Sequence, residues 1–388
     1  MRRARSPFTE LVRAGHGGEQ VLPRTVGPPV QKGSTVLLDR AADLYDESRP
    51  TYGRGGLATQ AALASALCEL ESADHVRLFP SGLAAMTAAM TAVLGAGDEV
   101  LVTDAIYKPT RRFCERVLRR FGVEVRYHPA RIEPEALLAL AGPRTKLIVM
   151  ESPGSLSLEM QDVSAIAHLA RSRGILTLID NTWAAGLLFK PLEHGVDLSA
   201  QSLTKYVGGH SDVFMGSVAT RDDSLGEALD HAVWDFGWSV SAEDAYLMLR
   251  GLRTLPARIA RCGSSGLEVA AWLAGHPRVA EVLHPALPGT PDHELWKRDF
   301  AGAAGLFSVV LEPCPPEAVE CFLDSLDLFG LGFSWGGFES LALACDPQLS
   351  VRLHEPPRRG PLVRLNIGLE DPADLIEDLA EGLRALGD

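Results

Sequence analysis

The best candidate for covalent chemistry in this chain is Lys205, in the segment QSLTKYVGGHSD. A lysine amine can form a Schiff base with an aldehyde, and burial or a neighbouring cation favours this near neutral pH. The hydroxyls of Ser202 and Thr204 could donate hydrogen bonds to phosphate, and Gly208 and Gly209 allow close approach of the backbone. Pyridoxal 5′-phosphate (PLP) carries both an aldehyde and a phosphate, so the pattern predicts a PLP site. The alternative is a lysine in a surface loop.

Two further side chains follow predicted strands. Asp180 ends the apolar run ILTLI, and its carboxylate could pair with the protonated ring nitrogen of PLP. Tyr107 comes after the run EVLVT and could stack on the same ring. The alternative for Asp180 is a cap on the next turn. With Lys205 only 25 residues further on, we favour the cofactor role.

Phosphate contacts are predicted at two glycine-containing segments. Gly82 and Leu83 begin a predicted helix directly after a strand, where free backbone N–H groups can hold an anion. Tyr52 and Arg54, in YGRGG, could add contacts from a flexible loop. Without Lys205, a solvated loop would be the better explanation of Tyr52 and Arg54.

A substrate carboxylate could be held by Arg364, which interrupts the apolar strand LVRL. A guanidinium binds a carboxylate through two parallel hydrogen bonds, although a salt-bridged strand residue is the alternative. Ser334 and Trp335, in SWGG, could form a nearby wall of the pocket. The histidines show no metal-ligand spacing, and the arginine-rich segment 111–120 reads as a solvated or paired helix face.

Short apolar strands alternate with helices between residues 76 and 180, which predicts an α/β fold with a parallel sheet covered on both faces. Such sheets bind ligands at the carboxyl ends of their strands. After about residue 250 the pattern changes to that of a smaller α+β domain. We therefore expect an extended N-terminal arm at 1–55, a PLP-binding domain at 56–250 and a small domain at 251–388.

The composition limits the class of protein. The net charge of −13 disfavours non-specific binding to nucleic acid or to anionic membranes. No apolar run is long enough to span a membrane, and the start MRRARS lacks the apolar core of a secretory signal. The six scattered cysteines read as buried thiols, which favours a cytoplasmic protein without zinc or disulfides.

With these residues in place, the chain resembles the Cys/Met-metabolism family of PLP enzymes. The resemblance runs from about residue 20 to the end. Its motifs include YGRGG, LFPSGLAA, AIYKPTRRFC, ESPGSLSLE, IDNTWAAG, TKYVGGHSD, RGLRTL, SWGGFES and RLNIGLED. The resemblance implies the type I, aspartate-aminotransferase-like fold, with a mostly parallel, seven-stranded central sheet and a smaller C-terminal α+β domain.

The resemblance also implies a role for each matching position. The PLP contacts would be Tyr52, Arg54, Gly82, Leu83, Tyr107, Asp180, Ser202, Thr204 and Lys205, and the substrate contacts Ser334, Trp335 and Arg364. Lys205 and Tyr107 would be catalytic and move protons. Tyr52 and Arg54 would reach the phosphate of a neighbouring subunit, which implies a dimer with shared sites, assembled into a homotetramer. No metal is implied.

Within the family the likeness is to bacterial cystathionine β-lyases, which implies β-elimination of L-cystathionine, or of a related S-substituted cysteine, to a thiol, pyruvate and ammonia. Ser155 in ESPGS fits β-elimination. Two departures leave the substrate open: Gly55, where a basic residue is common, and the segment HAVWDFGW at 231–238. A relative in specialised metabolism acting on another modified amino acid is the alternative. A non-catalytic PLP protein and an NAD-dependent enzyme fit the residues less well.

Overall fold

The computed structural model describes residues 6–13, 25–46, 48–354 and 357–386. Residues 1–5 lie outside these ranges, so the structure does not test our expectation that the start of the chain lacks a secretory signal. None of the described helices is both long and apolar enough to cross a membrane.

A seven-stranded sheet forms the centre of the larger part of the molecule. Its strands are β1 (His75–Phe79), β2 (Glu99–Thr103), β3 (Glu124–His128), β4 (Thr145–Glu151), β5 (Leu176–Asp180), β6 (Leu198–Ser202) and β7 (Gly216–Thr220). They lie in the order β1-β7-β6-β5-β4-β2-β3. All neighbours from β6 to β3 are parallel, and only β7 runs antiparallel to both strands beside it. The predicted mostly parallel, seven-stranded sheet is thus confirmed.

Helices cover both faces of this sheet. They are α1 (Pro7–Arg13), α2 (Ala58–Glu71), α3 (Gly82–Val93), α4 (Lys108–Phe113), α5 (Pro134–Leu140), α6 (Val163–Ser172) and α7 (Asp223–Asp235). A π-helical turn at Cys114–Leu118 and a 3-10 turn at Arg119–Phe121 extend α4. Because strand side chains alternate between faces, the successive residues Ile148 and Val149 are both fully buried but belong to different hydrophobic clusters.

A second sheet of five strands forms the smaller part, as predicted. It contains β8 (Val279–Leu283), β9 (Leu306–Leu311), β10 (Gly330–Leu331), β11 (Leu341–Ala344) and β12 (Leu362–Asn366), in the order β10-β11-β12-β9-β8. Its helices are α8 (Ala242–Ala274), α9 (His293–Asp299), α10 (Pro316–Asp324), α11 (Asp346–Leu349) and α12 (Pro372–Arg384).

The structure contains several elements that the sequence did not predict. The strands β6 and β7 and the helix α7 were missed, because LSAQS and GSVAT carry few of the β-branched and aromatic residues that signal a strand. The sequence also did not predict that Ala242–Ala274 forms a single helix, α8, of 33 residues with Pro256 inside it. Helix α1 lies where we expected an extended arm, and its Leu11 is buried.

The predicted domain boundary at 250/251 falls within α8. We propose to keep the division into arm, PLP-binding domain and small domain, with α8 passing from the PLP-binding domain into the small domain.

The six cysteines are all unpaired. Three of them are buried, but Cys321 is exposed and Cys68 and Cys314 are half-buried, so the prediction of buried thiols is wrong for these three. Helix α10 carries Cys321 on its outer face.

Candidate active site

A cavity of about 210 Å³ opens where β4, β5 and β6 end. This is the edge at which parallel sheets bind ligands. The predicted site residues that line it are Gly82, Leu83, Tyr107, Asp180, Ser202, Thr204, Lys205, Trp335 and Arg364. The structure therefore brings together residues from six separate segments of the chain.

Lys205 follows β6 through a tight turn and directs its amine into this cavity. Its Nζ donates a hydrogen bond to Oγ of Ser334, at 2.8 Å, and lies 5.5 Å from the ring centre of Trp335. Burial, together with the charge of Arg364, lowers the pKa of Lys205 from 10.5 to about 8. A useful fraction of the amine is therefore neutral near physiological pH, as Schiff-base formation requires.

Asp180 is the last residue of β5 and presents one carboxylate oxygen to the cavity. Its Oδ1 accepts hydrogen bonds from both the backbone N–H (3.1 Å) and the hydroxyl (2.5 Å) of Thr182. Its Oδ2 has no hydrogen-bond partner among the described residues. Burial raises the pKa of Asp180, and the hydrogen bonds from Thr182 oppose this. The free oxygen suits an N–H donor on a flat ring, so the position fits the pyridine nitrogen of PLP.

The start of α3 forms a cradle for an anion. The first amides of a helix have no partner within the helix, and those of Gly82 and Leu83 have none elsewhere in the described residues. The hydroxyl of Ser202 is also without a partner there. A Cβ atom at Gly82 would overlap the side chain of Ser202, so only glycine fits at this position. Free donors at the positive end of a 12-residue helix match the phosphate of PLP.

The side chain of Thr204 lines the cavity, but its hydroxyl is already occupied. It donates to the carbonyl oxygen of Met215 at 3.1 Å and accepts from the backbone N–H of Met215 at 3.0 Å. The space beside Gly208 and Gly209 is occupied by protein side chains and not by the cavity. A Cβ at Gly209 would overlap the guanidinium of Arg258, which donates to the carbonyl oxygens of Tyr206 and Val207. These contacts hold the loop that carries Lys205.

Arg364 lies in β12 of the small sheet and is only 7% exposed. Its Nη2 donates to the carbonyl oxygens of Phe333 and Ser334, at 2.8 and 3.2 Å. Nε and Nη1 have no partners among the described residues, so the guanidinium keeps free donors for an anion. Tyr107 stands nearby, and burial followed by the charges of Asp180 and Glu151 raises the pKa of its phenol.

Glu151 is a site residue that the sequence analysis missed. It ends β4, pairs in register with Asp180, and lines the cavity. Its Oε2 accepts the backbone N–H of Tyr107 at 2.7 Å. Burial and the neighbouring charge of Asp180 raise its pKa well above the usual range. The available signal was its position at the end of an apolar strand, the same signal that identified Asp180.

Tyr52 and Arg54 do not line the cavity of their own chain. Both are exposed, and the guanidinium of Arg54 lies over the rings of Tyr52 (5.5 Å) and Trp234 (5.2 Å). A Cβ at Gly55 would lie 2.8 Å from Trp234. Gly55 and the segment 231–238, the two departures noted in the sequence, thus contact each other outside the lining of the Lys205 cavity.

Within the described part of the chain, no group of His, Cys, Asp and Glu side chains could hold a metal ion.

The model of the Cys/Met metabolism PLP-dependent enzyme family matches residues 8–384. The chain is 42% identical to the cystathionine beta-lyase of Bordetella avium over 367 residues, which cover 92% of each protein. It is 42% identical to the cystathionine beta-lyase MetC of Escherichia coli K12 over 386 residues, 96% of this chain and 97% of the relative. The crystal structure of metB from Corynebacterium glutamicum superposes with a TM-score of 0.93 at 32% identity and covers 99% of both chains.

The chain therefore belongs to the Cys/Met metabolism family of PLP-dependent enzymes. Its cofactor is PLP, and its fold is the type I fold that the sequence predicted. The family resemblance drawn from the motifs is confirmed.

Proposed function

We propose that this member of the family is a carbon–sulfur lyase that catalyses β-elimination of L-cystathionine, or of a related S-substituted cysteine. The reaction uses one water and gives homocysteine (or another thiol), pyruvate and ammonia. The observation that carries the proposal is the position of the Lys205 amine, 2.8 Å from Ser334 and in one cavity with Asp180 and Arg364. The names of the relatives from Bordetella avium and Escherichia coli support the β-lyase assignment.

Residues on different sides of the cavity bind different groups of PLP. The amides of Gly82 and Leu83 and the hydroxyl of Ser202 bind the phosphate, and Asp180 accepts the N–H of the ring. Thr204 positions the turn before Lys205 through Met215. When bound, PLP supplies an aldehyde for the amine of the substrate and a ring that accepts the electron pair left at Cα.

The remaining side chains hold the amino acid and move its protons. Arg364 pairs with the α-carboxylate through guanidinium N–H donors that Phe333 and Ser334 do not occupy. Tyr107, as its phenolate, accepts a proton from the incoming α-ammonium group, and the charges of Arg364 and Arg112 favour that form. The neutral amine of Lys205 then takes the proton from Cα and delivers it to the departing sulfur as the Cβ–S bond breaks. The hydroxyl of Ser334 and the ring of Trp335 keep this amine on the substrate side of the cavity.

We further propose that Tyr52 and Arg54 complete the phosphate site of a neighbouring copy, in dimers that pair into a tetramer. Support comes from their exposure and from their absence in the lining of their own cavity. A cytoplasmic location also belongs to this proposal, because six unpaired thiols fit a reducing compartment.

A product assay with L-cystathionine tests the proposed function. Pyruvate together with homocysteine is expected. 2-Oxobutyrate together with cysteine would instead identify γ-elimination. If neither pair forms while PLP stays bound, the substrate is a different modified amino acid, and the proposal is wrong in its substrate.

The Lys205→Ala variant separates the chemistry from the fold. We expect it to lose turnover and the visible absorbance of Schiff-base-bound PLP. Lys146, an exposed lysine of β4 outside the cavity, offers a matched control: Lys146→Ala should keep both properties. Full activity in Lys205→Ala would contradict the mechanism.

A further inference from the structure

A second depression adjoins the Lys205 cavity. It has a volume of about 370 Å³ and opens to solvent beside α4. Tyr107, Ser155, Leu156, Phe333 and Arg364 line both the depression and the cavity. A substrate whose α-carboxylate is held by Arg364 can therefore extend into this space without crossing protein. We call the depression the side groove.

Three cations line the side groove at intervals of four residues: Lys108, Arg112 and Arg116. Like charges with this spacing on a helix repel each other and destabilise it slightly. Lys108 donates to the carbonyl oxygen of Pro347, at 3.2 Å, so its charge stays uncompensated. Among the described residues, the side chains of Arg112 and Arg116 have no ion pair or hydrogen bond. An anion in the groove would relieve this repulsion.

The one acidic residue in the groove wall does not neutralise these charges. Glu115 is paired with Arg111, with 3.7 Å between Nη1 and Oε1, and Arg111 is paired in turn with the buried Asp104. The groove also contains an unused donor, because Nε2 of Gln348 is buried without a hydrogen-bond partner in the described structure. The walls thus offer cationic groups and N–H donors, and their one carboxylate is already paired.

We propose that the side groove binds a carboxylate at the far end of the group that leaves with sulfur, and that Arg112 and Arg116 determine this specificity. The inference rests on the proposed function and narrows it. The preferred substrates are S-substituted cysteines whose thiol fragment carries a carboxylate, as homocysteine does in L-cystathionine. Guanidinium groups favour carboxylates because they bind them with two parallel, charge-assisted hydrogen bonds.

Two synthetic substrates that differ only in this charge test the proposal: S-(3-carboxypropyl)-L-cysteine and its primary amide. Pyruvate release gives kcat/KM for each. For the wild-type holoenzyme we expect the acid to be preferred by roughly tenfold or more, which corresponds to one charged hydrogen bond. In the double variant Arg112→Gln/Arg116→Gln, the ratio should fall close to one.

Arg120→Gln is the matched control, since Arg120 is exposed on the same helical segment but lies outside the groove. It should keep the wild-type ratio. A ratio near one in the wild-type enzyme would overturn the proposal. So would a double variant that keeps the acid preference but changes the oligomeric mass, because the two arginines would then belong to a contact between copies of the chain.

A binding measurement without turnover keeps this test separate from that of the proposed function. Calorimetric titration of the wild-type holoenzyme with 4-(methylthio)butanoate and with its amide should show tighter binding of the acid. This difference should disappear in Arg112→Gln/Arg116→Gln, in which Arg364 is intact. If no thioether yields pyruvate but the acid still binds more tightly, the proposed function fails and the groove assignment stands. Equal affinity for acid and amide overturns the groove assignment.

Discussion

The backbone N–H of Tyr107 donates to Oε2 of Glu151 across 2.7 Å, and Glu151 stands beside Asp180 on the neighbouring strand. The carboxyl group of Glu151 thus joins the proposed proton acceptor to the strand edge that we propose holds the ring nitrogen of PLP. Burial and the charge of Asp180 raise the pKa of Glu151 well above its usual range, which favours its neutral form. It acts as a hydrogen-bond acceptor that positions Tyr107.

From this relationship we expect Glu151→Gln and Glu151→Ala to differ. A neutral glutamine oxygen can accept the same N–H, so kcat/KM should stay within about threefold of wild type. Alanine removes the acceptor and with it the contact that positions Tyr107, which should lower kcat/KM by roughly tenfold. Steady-state kinetics with L-cystathionine measure both effects. Equal damage in the two variants would mean that an ionised carboxylate is required.

The lowered pKa of Lys205 predicts how cofactor uptake depends on pH. The amine reacts with an aldehyde only when neutral, and its neutral fraction rises with pH through a midpoint at the pKa, here about 8 instead of 10.5. The rate at which apoenzyme gains the absorbance of Schiff-base-bound PLP should therefore rise steeply between about pH 7 and 9 and then level off. A rate that still rises tenfold per unit above pH 9 would indicate an ordinary lysine.

Shared sites predict complementation between inactive variants. Arg54→Ala should weaken PLP retention, and Lys205→Ala should abolish turnover. After unfolding and refolding of an equal mixture, about half of the dimers are hybrids with one complete site each, so about a quarter of wild-type activity should return. Each variant refolded alone is the control. If mass spectrometry shows hybrids but activity stays absent, Arg54 serves its own chain.

Substitution of Arg364 should act mainly on binding of the amino acid. Arg364→Ala and Arg364→Lys both remove the free guanidinium donors, and a lysine cannot reproduce their fixed, planar arrangement. We expect KM for L-cystathionine to rise by about tenfold to a hundredfold, with a smaller change in kcat. An unchanged KM would remove Arg364 from the carboxylate role.

The buried carboxyl group of Glu71 should make the free energy of unfolding depend on pH. It is 1% exposed, and burial raises its pKa from 4.5 to about 8, while the hydroxyl of Ser199 donates to its Oε2 at 3.1 Å. Between these two pH values the unfolded chain has lost the proton that the folded chain keeps, so stability falls as pH rises, by up to about 1.4 kcal/mol per unit. Below this window both states are protonated, and above it both are ionised.

In Glu71→Gln this contribution disappears, so urea unfolding of the holoenzyme between pH 5 and 8 should show a smaller loss of stability than in wild type. Glu69, exposed on the same helix, supplies the control, since Glu69→Gln should keep the wild-type slope. Identical slopes in all three proteins would show that Glu71 is ionised in the folded state.

The sequence alone was sufficient where the signal is local. Apolar runs bounded by helices predicted β2, β4 and β5, because both faces of a parallel sheet are buried and its strands are apolar throughout. The end of such a run placed Asp180 at the ligand edge, and the hydroxyls beside Lys205 indicated a phosphate-bearing aldehyde. Chain order and residue type were enough for these conclusions.

Tertiary structure decided the rest, because it depends on contacts between distant segments. Lys205 meets Ser334, 129 residues further along the chain, only because the fold brings the segment of Ser334 against the turn that carries Lys205. The hydroxyl of Thr204 looks free in the sequence but is bound to Met215. The sequence favours a solvated or paired helix face for the arginine-rich segment 111–120. Only the fold places it beside the cavity and pairs Glu115 elsewhere, which leaves the charge of the side groove uncompensated.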